Sequence, residues 1–200
     1  MAVIGLRVHS GWTAAVVVGG SVAEPRVLHR TRLELIEGKI PCQPYHYVEH
    51  MGGARARSLL AGWQKTVKRL SHDRLKALTK LGREAGAEVN AVAILLSSGR
   101  PLPELEKILA SHALIHSAEG EFYRDALKAA GQALGLLVVG AREKQVFEFA
   151  STQLKTSPAA IKAKLDSFKK SVGSPWTADE KLATLAAWMQ LAPRAAAAKR

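Results

Sequence analysis

The sequence predicts an α/β fold in three layers: a five-stranded mixed sheet, three antiparallel N-terminal strands plus two parallel ones, flanked by helices. Three observations lead there. Residues 2 to 36 hold three β-rich runs, AVIGLRVHSG, WTAAVVVGG and EPRVLHRTRLELI, joined by tight turns before any helical periodicity begins. A long helical segment then leads to the apolar run VNAVAILL, and a crossover of that length joins parallel strands. More helices enclose a second short apolar run at residues 136–139.

The first strand alternates, with Ile4, Leu6 and Val8 on one face and Gly5, Arg7 and His9 on the other. The second, Ala14 to Val18, is apolar on both faces and reads as interior, with Gly19-Gly20 as its end. In the third, Val27, His29, Thr31, Leu33 and Leu35 alternate with Leu28, Arg30, Arg32 and Glu34, so one side is mostly polar, as near a sheet edge. A helix is expected from Ala54 to Arg83, where Leu60, Trp63, Val67 and Leu70 fall at helical spacing and Leu75, Leu78 and Leu81 continue the stripe. Val89 to Leu96 is the buried fourth strand, and the turn Ser97-Ser98-Gly99-Arg100-Pro101 lacks the spacing and lysine of a phosphate loop. Helices are expected at Pro103 to Ala110 and Ala118 to Leu134, a short buried strand at Leu136 to Val139, and a helix from near Glu143. Ser157-Pro158 opens a lysine-rich helix with Lys162, Lys164, Lys169 and Lys170. The last helix has a capping box, Thr177 as N-cap and Glu180 three residues on, with Leu182, Leu185, Ala186 and Met189 on its buried face.

Two hundred residues suit one domain, taken as 1–192 with a flexible basic tail at 193–200. No apolar run reaches the ~18–20 residues that span a bilayer, and no basic leader precedes a long apolar segment. The single Cys42 excludes an internal disulfide and fits a reducing compartment, so the cytoplasm is the expected location. The net charge of +12 and pI of about 10.1 point to anionic partners, phosphate backbones first. Much of that charge lies on one helix: nine Lys or Arg stand against two acids from Arg55 to Glu84, and Lys65, Arg69, His72, Lys76, Lys80 and Arg83 recur at steps of three and four. Exposed helix faces usually mix both signs through i,i+4 pairs, and this one scarcely does, so it reads as an electrostatic contact surface.

Two groups could ligate metal. The connector EGKIPCQPYHYVEHMGG at 37 to 53 concentrates Cys42, His46 and His50, but one cysteine in a Cys-x3-His-x3-His spacing matches no strong zinc pattern. His112 and His116 are one helical turn apart and within reach of Glu119 or Glu121. Both groups are expected to be structural, and no resident metal is assigned.

Two segments carry a resemblance to a known family. IGLRVHSGWTAAVVV resembles the Gly-hydrophobic-Asp-x-Ser/Gly opening of the resolvase-type (RuvC-like) branch of the ribonuclease H-like superfamily, and TADEKLATLAAW resembles its closing Asp-x-x-Asp-Ala helix. The order of elements agrees over most of the chain. The resemblance implies carboxylates that hold Mg²⁺ or Mn²⁺ for phosphodiester cleavage, but Arg7 stands where the first acid belongs and no carboxylate lies near Leu96 to Ser98, where the second does. The closing acid matches Asp179, or Glu180 with a slip of one. A guanidinium repels metal ions and holds phosphate, and Arg7 is expected to pair with Asp179 across the site.

The expected function is therefore a catalytically degenerate ribonuclease H-like protein, a pseudo-nuclease, binding DNA or RNA backbones through Lys65, Arg69, Lys76, Lys80, Arg83, Arg30 and Arg32. No membrane partner is expected, and a homodimer is left open. The alternative is a Mg²⁺- or Mn²⁺-dependent nuclease with a rearranged catalytic set of Asp179, Glu119 and Glu121, assisted by His116. A weaker alternative is a translation-associated module, since His50-Met51-Gly52-Gly53-Ala54-Arg55 resembles the Gly-Gly loop of release-factor middle domains without its glutamine.

Overall fold

The computed structural model describes residues 1–97 and 101–191, and the expected basic tail and residues 98–100 of the Ser/Gly turn lie outside them. Strands β1 (Ala2–His9), β2 (Trp12–Gly20) and β3 (Pro25–Glu34) form an antiparallel meander, and β4 (Val89–Leu96) and β5 (Leu137–Arg142) add to it in parallel. The order across the sheet is β3-β2-β1-β4-β5. The first strand thus lies at the centre with two-sided pairing: Gly5 stands opposite Val16 on β2 and Ala93 on β4.

Strand alternation divides the core into two. Ile4, Leu6, Val8, Ala15 and Val17 face a layer made by α1 (Pro44–Val48), α2 (Gly53–Glu84), α3 (Leu105–Leu109) and α4 (His112–Ala133). Val3, Val16, Val18, Ala91, Ala93 and Leu95 face the other layer. That layer contains α5 (Val146–Leu154), α6 (Pro158–Ser167), α7 (Lys169–Val172) and α8 (Ala178–Met189). Because successive side chains point to opposite faces, β1 delivers Gly5 and Arg7 to α8 while its even-numbered residues fill the α2–α4 side.

Several boundaries differ from the sequence expectation. β2 continues through Gly19-Gly20, where Gly20 (φ 93°) makes the left-handed turn. α4 begins six residues early, at His112, because Ile115 and Ala118 bury against Ile108 of α3 and extend its apolar stripe. β5 is an edge strand, not a buried one, and leaves Leu137 46% exposed. A 3-10 turn, Glu143–Gln145, separates it from α5. The lysine-rich segment is two helices, α6 and α7, the first capped by the Ser157 hydroxyl as expected. Among the described residues no helix is long and apolar enough to cross a membrane.

Candidate functional site

The centre of the sheet ends in a charged cluster. α8 starts at Thr177, whose hydroxyl accepts from the Glu180 N–H at 3.4 Å while the Glu180 carboxylate accepts from the Thr177 N–H at 2.7 Å. This box sets Asp179 in the first helical turn, where the helix dipole favours a carboxylate. Arg7 reaches it from β1: Nη1 donates to Asp179 Oδ1, Nη2 donates to Glu143 Oε1 at 2.7 Å, and Nε lies 3.2 Å from both Glu143 oxygens. The ion pair expected between Arg7 and Asp179 is present, and Glu143 makes it a triad. The Glu143 hydrogen bonds, with smaller contributions from Asp179, outweigh desolvation and raise the Arg7 pKa above its ordinary value. His9 Nε2 lies 3.1 Å from Asp179 Oδ1 and its ring stacks on Trp12 at 4.2 Å, and the Arg32 guanidinium sits 4.1 Å from the Trp12 centroid.

The other two acids of the nuclease set lie elsewhere. Glu119 is 2% exposed on α4, within the helical layer on the opposite side of the sheet from α8. Its Oε1 accepts from the backbone N–H groups of Tyr45 at 2.9 Å and His46 at 3.0 Å and from His46 Nδ1 at 3.1 Å. It thereby serves the first turn of α1, which has no side-chain N-cap of its own. Burial pushes its carboxyl pKa up, and the three N–H contacts and the neighbouring imidazole pull it back. Glu121 accepts from Ser97 Oγ at 3.2 Å and Arg124 Nη1 at 3.0 Å, with Lys128 Nζ at 3.5 Å. It hydrogen-bonds Ser97, just past the end of β4, and is engaged by two cations of its own helix. Asp179, Glu119 and Glu121 are not assembled into one group, and among the described residues no three carboxylates converge. With Arg7 between Asp179 and Glu143, this donor set does not fit a pair of divalent ions.

The basic residues divide in the same way. Lys65, Lys68 and Lys76 lie on the exposed face of α2, and among the described residues they make no ion pair. Arg69, Lys80 and Arg83 share that face but are partly neutralised: Arg69 by Glu37 and by Asp73 at 3.4 Å, Lys80 by Glu84 at 3.7 Å, Arg83 by Glu88 at 3.8 Å. Arg32 is exposed beside Trp12 and pairs with Glu34 at 2.6 Å. Arg30 is committed inward, donating to Glu180 at 2.6 Å, to the Val172 carbonyl at 3.1 Å and to the Pro175 carbonyl.

Sequence reasoning missed Glu143, which lies 136 positions from Arg7 and carries no local signal. It also did not connect His46 with His112 and His116. The structure brings these three together, one ring nitrogen of each lying within 4.8 Å of the others, while Cys42 and His50 stay outside the group.

No protein-family model and no curated protein matches the sequence. Solved structures do match. RuvC of Thermus thermophilus in complex with a Holliday junction substrate superposes with a TM-score of 0.52 at 15% identity, over 94% of this chain and 91% of that one. A second Thermus thermophilus RuvC structure gives a TM-score of 0.52 at 14% identity, over 94% and 92%. With the strand order and the two helical layers, these matches show that the chain has the ribonuclease H-like fold, in the form that RuvC has.

Proposed function

We propose that the protein binds nucleic acid through phosphate contacts on the exposed face of α2 and that its former metal centre is a structural ion-pair cluster. The observation that carries this reading is the contrast between two sites. Arg7 is held by two carboxylates at the centre of the sheet, where the family's metal ions would need room, whereas Lys65, Lys68 and Lys76 on α2 make no ion pair among the described residues. Further support comes from the fold, shared with a RuvC solved on a Holliday junction. Arg69, Lys80 and Arg83 add charge to this surface; Arg30 does not take part, and Arg32, in register with Ala14 and Arg7, lies on the α8 side of the sheet. Binding of this kind neutralises phosphates and displaces counterions, so it is steep in salt and weak in sequence preference.

Fluorescence anisotropy with a labelled duplex, a four-way junction and an RNA hairpin tests the proposal. Replacing Lys65, Lys68 and Lys76 together by glutamine is expected to make the slope of log affinity against log salt shallower by about 2–3, roughly 0.9 per lost phosphate contact on duplex DNA. Affinity that does not depend on salt, or is unchanged in the triple variant, would refute it. The nuclease reading with Asp179, Glu119 and Glu121 is separated by Mg²⁺ or Mn²⁺ assays on the same substrates: no cleavage is expected, and cleavage lost in Asp179→Asn would reverse the conclusion.

A further inference from the structure

We propose that His46, His112 and His116 form a binding site for one zinc-class divalent transition ion, with Glu119 as the carboxylate behind the His46 ligand. The site is independent of the nucleic-acid reading and lies in the helical layer opposite the Arg7 cluster.

Two of the three ligands come from α4. His112 and His116 lie one turn apart, so both imidazoles project from the same face, and their Nε2 atoms are 3.0 Å apart. A tetrahedral zinc with Zn–N bonds of 2.0–2.1 Å needs its ligand nitrogens about 3.3 Å apart, a difference of a few tenths of an ångström. The third imidazole comes from α1. His46 packs edge-on against both partners, with ring centroids 4.7 Å from His116 and 5.4 Å from His112. Three imidazoles so close, two of them exposed, gain little from burial.

Glu119 decides which nitrogen His46 presents. Glu119 Oε1 already accepts from the Tyr45 and His46 backbone N–H groups and so carries no hydrogen, and the His46 Nδ1 that lies 3.1 Å from it is therefore the donor and carries the proton. The lone pair is then on Nε2. Carboxylate, imidazole and open nitrogen in that order are the arrangement that orients ligating histidines and raises their basicity. Glu119 itself is nearly inaccessible, and its Oε2 has no hydrogen-bond partner among the described residues. A cation on His46 sits behind this under-satisfied carboxyl group and favours it. Three neutral nitrogen donors suit zinc, cobalt or nickel and not magnesium or calcium, which prefer oxygen. Three protein ligands leave the fourth position to water or to a small anionic or thiol ligand.

Tag-free protein, stripped with chelator and titrated with Co²⁺ and then Zn²⁺, gives the test. One equivalent of Co²⁺ is expected to produce the intense visible absorption of tetrahedral coordination, with Zn²⁺ displacing it and Mg²⁺ without effect. His46→Ala, His112→Ala and His116→Ala should each weaken binding at least ~10-fold, and Glu119→Gln by about 10–100-fold, while Cys42→Ser and His50→Ala leave it unchanged. The His112 and His116 variants change exposed side chains, so circular dichroism should show them folded and keep their result interpretable. The proposal is overturned if no equivalent of metal binds the wild-type protein, if the cobalt spectrum is octahedral, or if His46→Ala binds as tightly as wild type.

Discussion

The contact between β1 and α8 leaves no room for a methyl group at Gly5, and Gly5→Ala tests how rigidly that contact holds the charged centre. A Cβ built on Gly5 falls 1.9 Å from the Ala183 carbonyl oxygen, 2.7 Å from its carbon and 3.0 Å from the Ala187 methyl. Relief to an ordinary contact requires a displacement of about 1.5 Å. The strand cannot supply it, being hydrogen-bonded on both edges at this position, so α8 must move. Overpacking costs about 1–3 kcal/mol where side chains can yield; here the obstruction is main chain, which places the cost at about 3 kcal/mol. Moving α8 also draws Asp179, one turn before Ala183, away from Arg7. Urea unfolding should show this loss, and calorimetry a Tm lower by roughly 6–12 °C. Gly62→Ala is the control: Gly62 is an exposed α2 residue, a Cβ added there meets nothing within 4 Å, and that change should stabilise by about 0.5–1 kcal/mol. A Gly5→Ala protein within about 1 kcal/mol of wild type, with an unchanged m-value, refutes the claim that backbone contact fixes this interface.

Two further substitutions separate stability from binding. Arg30→Met removes the donor shared by Glu180 and the Val172 and Pro175 carbonyls; after allowing for partial solvent access we expect a loss of about 1–2 kcal/mol by urea titration, with nucleic-acid affinity by anisotropy unchanged. Thr177→Ala deletes the hydroxyl half of the capping box and should cost about 1 kcal/mol, with faster amide exchange confined to the first turn of α8.

The fold was legible wherever periodicity and capping chemistry act locally. The three opening strands, the fourth strand at Val89–Leu96 and the Thr177 cap all follow from alternation, glycine turns and the spacing of Thr177 and Glu180. Arg7 facing Asp179 was also legible, because a resemblance placed both at one site. Glu143 was not, since it reaches Arg7 only after β5 has aligned beside β4. Glu119 misled for a related reason. A lone glutamate among apolar helix positions has no pattern that distinguishes a metal ligand from a group serving a distant helix, and only the docking of α1 reveals which it is. The histidine trio was half visible: the pair on α4 follows from spacing, whereas His46 joins them across 66 residues through tertiary packing.

The central position of β1 and its cover by α8 give the chain a long interval of vulnerability during synthesis. Val3, Val16 and Val18 present an apolar surface as soon as the hairpin emerges, yet Leu185, Ala186 and Trp188, which help cover that surface, are made about 170 residues later. At roughly 5–20 residues per second, the uncovered sheet waits some 10–30 s for the helix that shields it. Ribosome-bound intermediates ending before α8 should therefore be aggregation-prone even where the sheet has already paired.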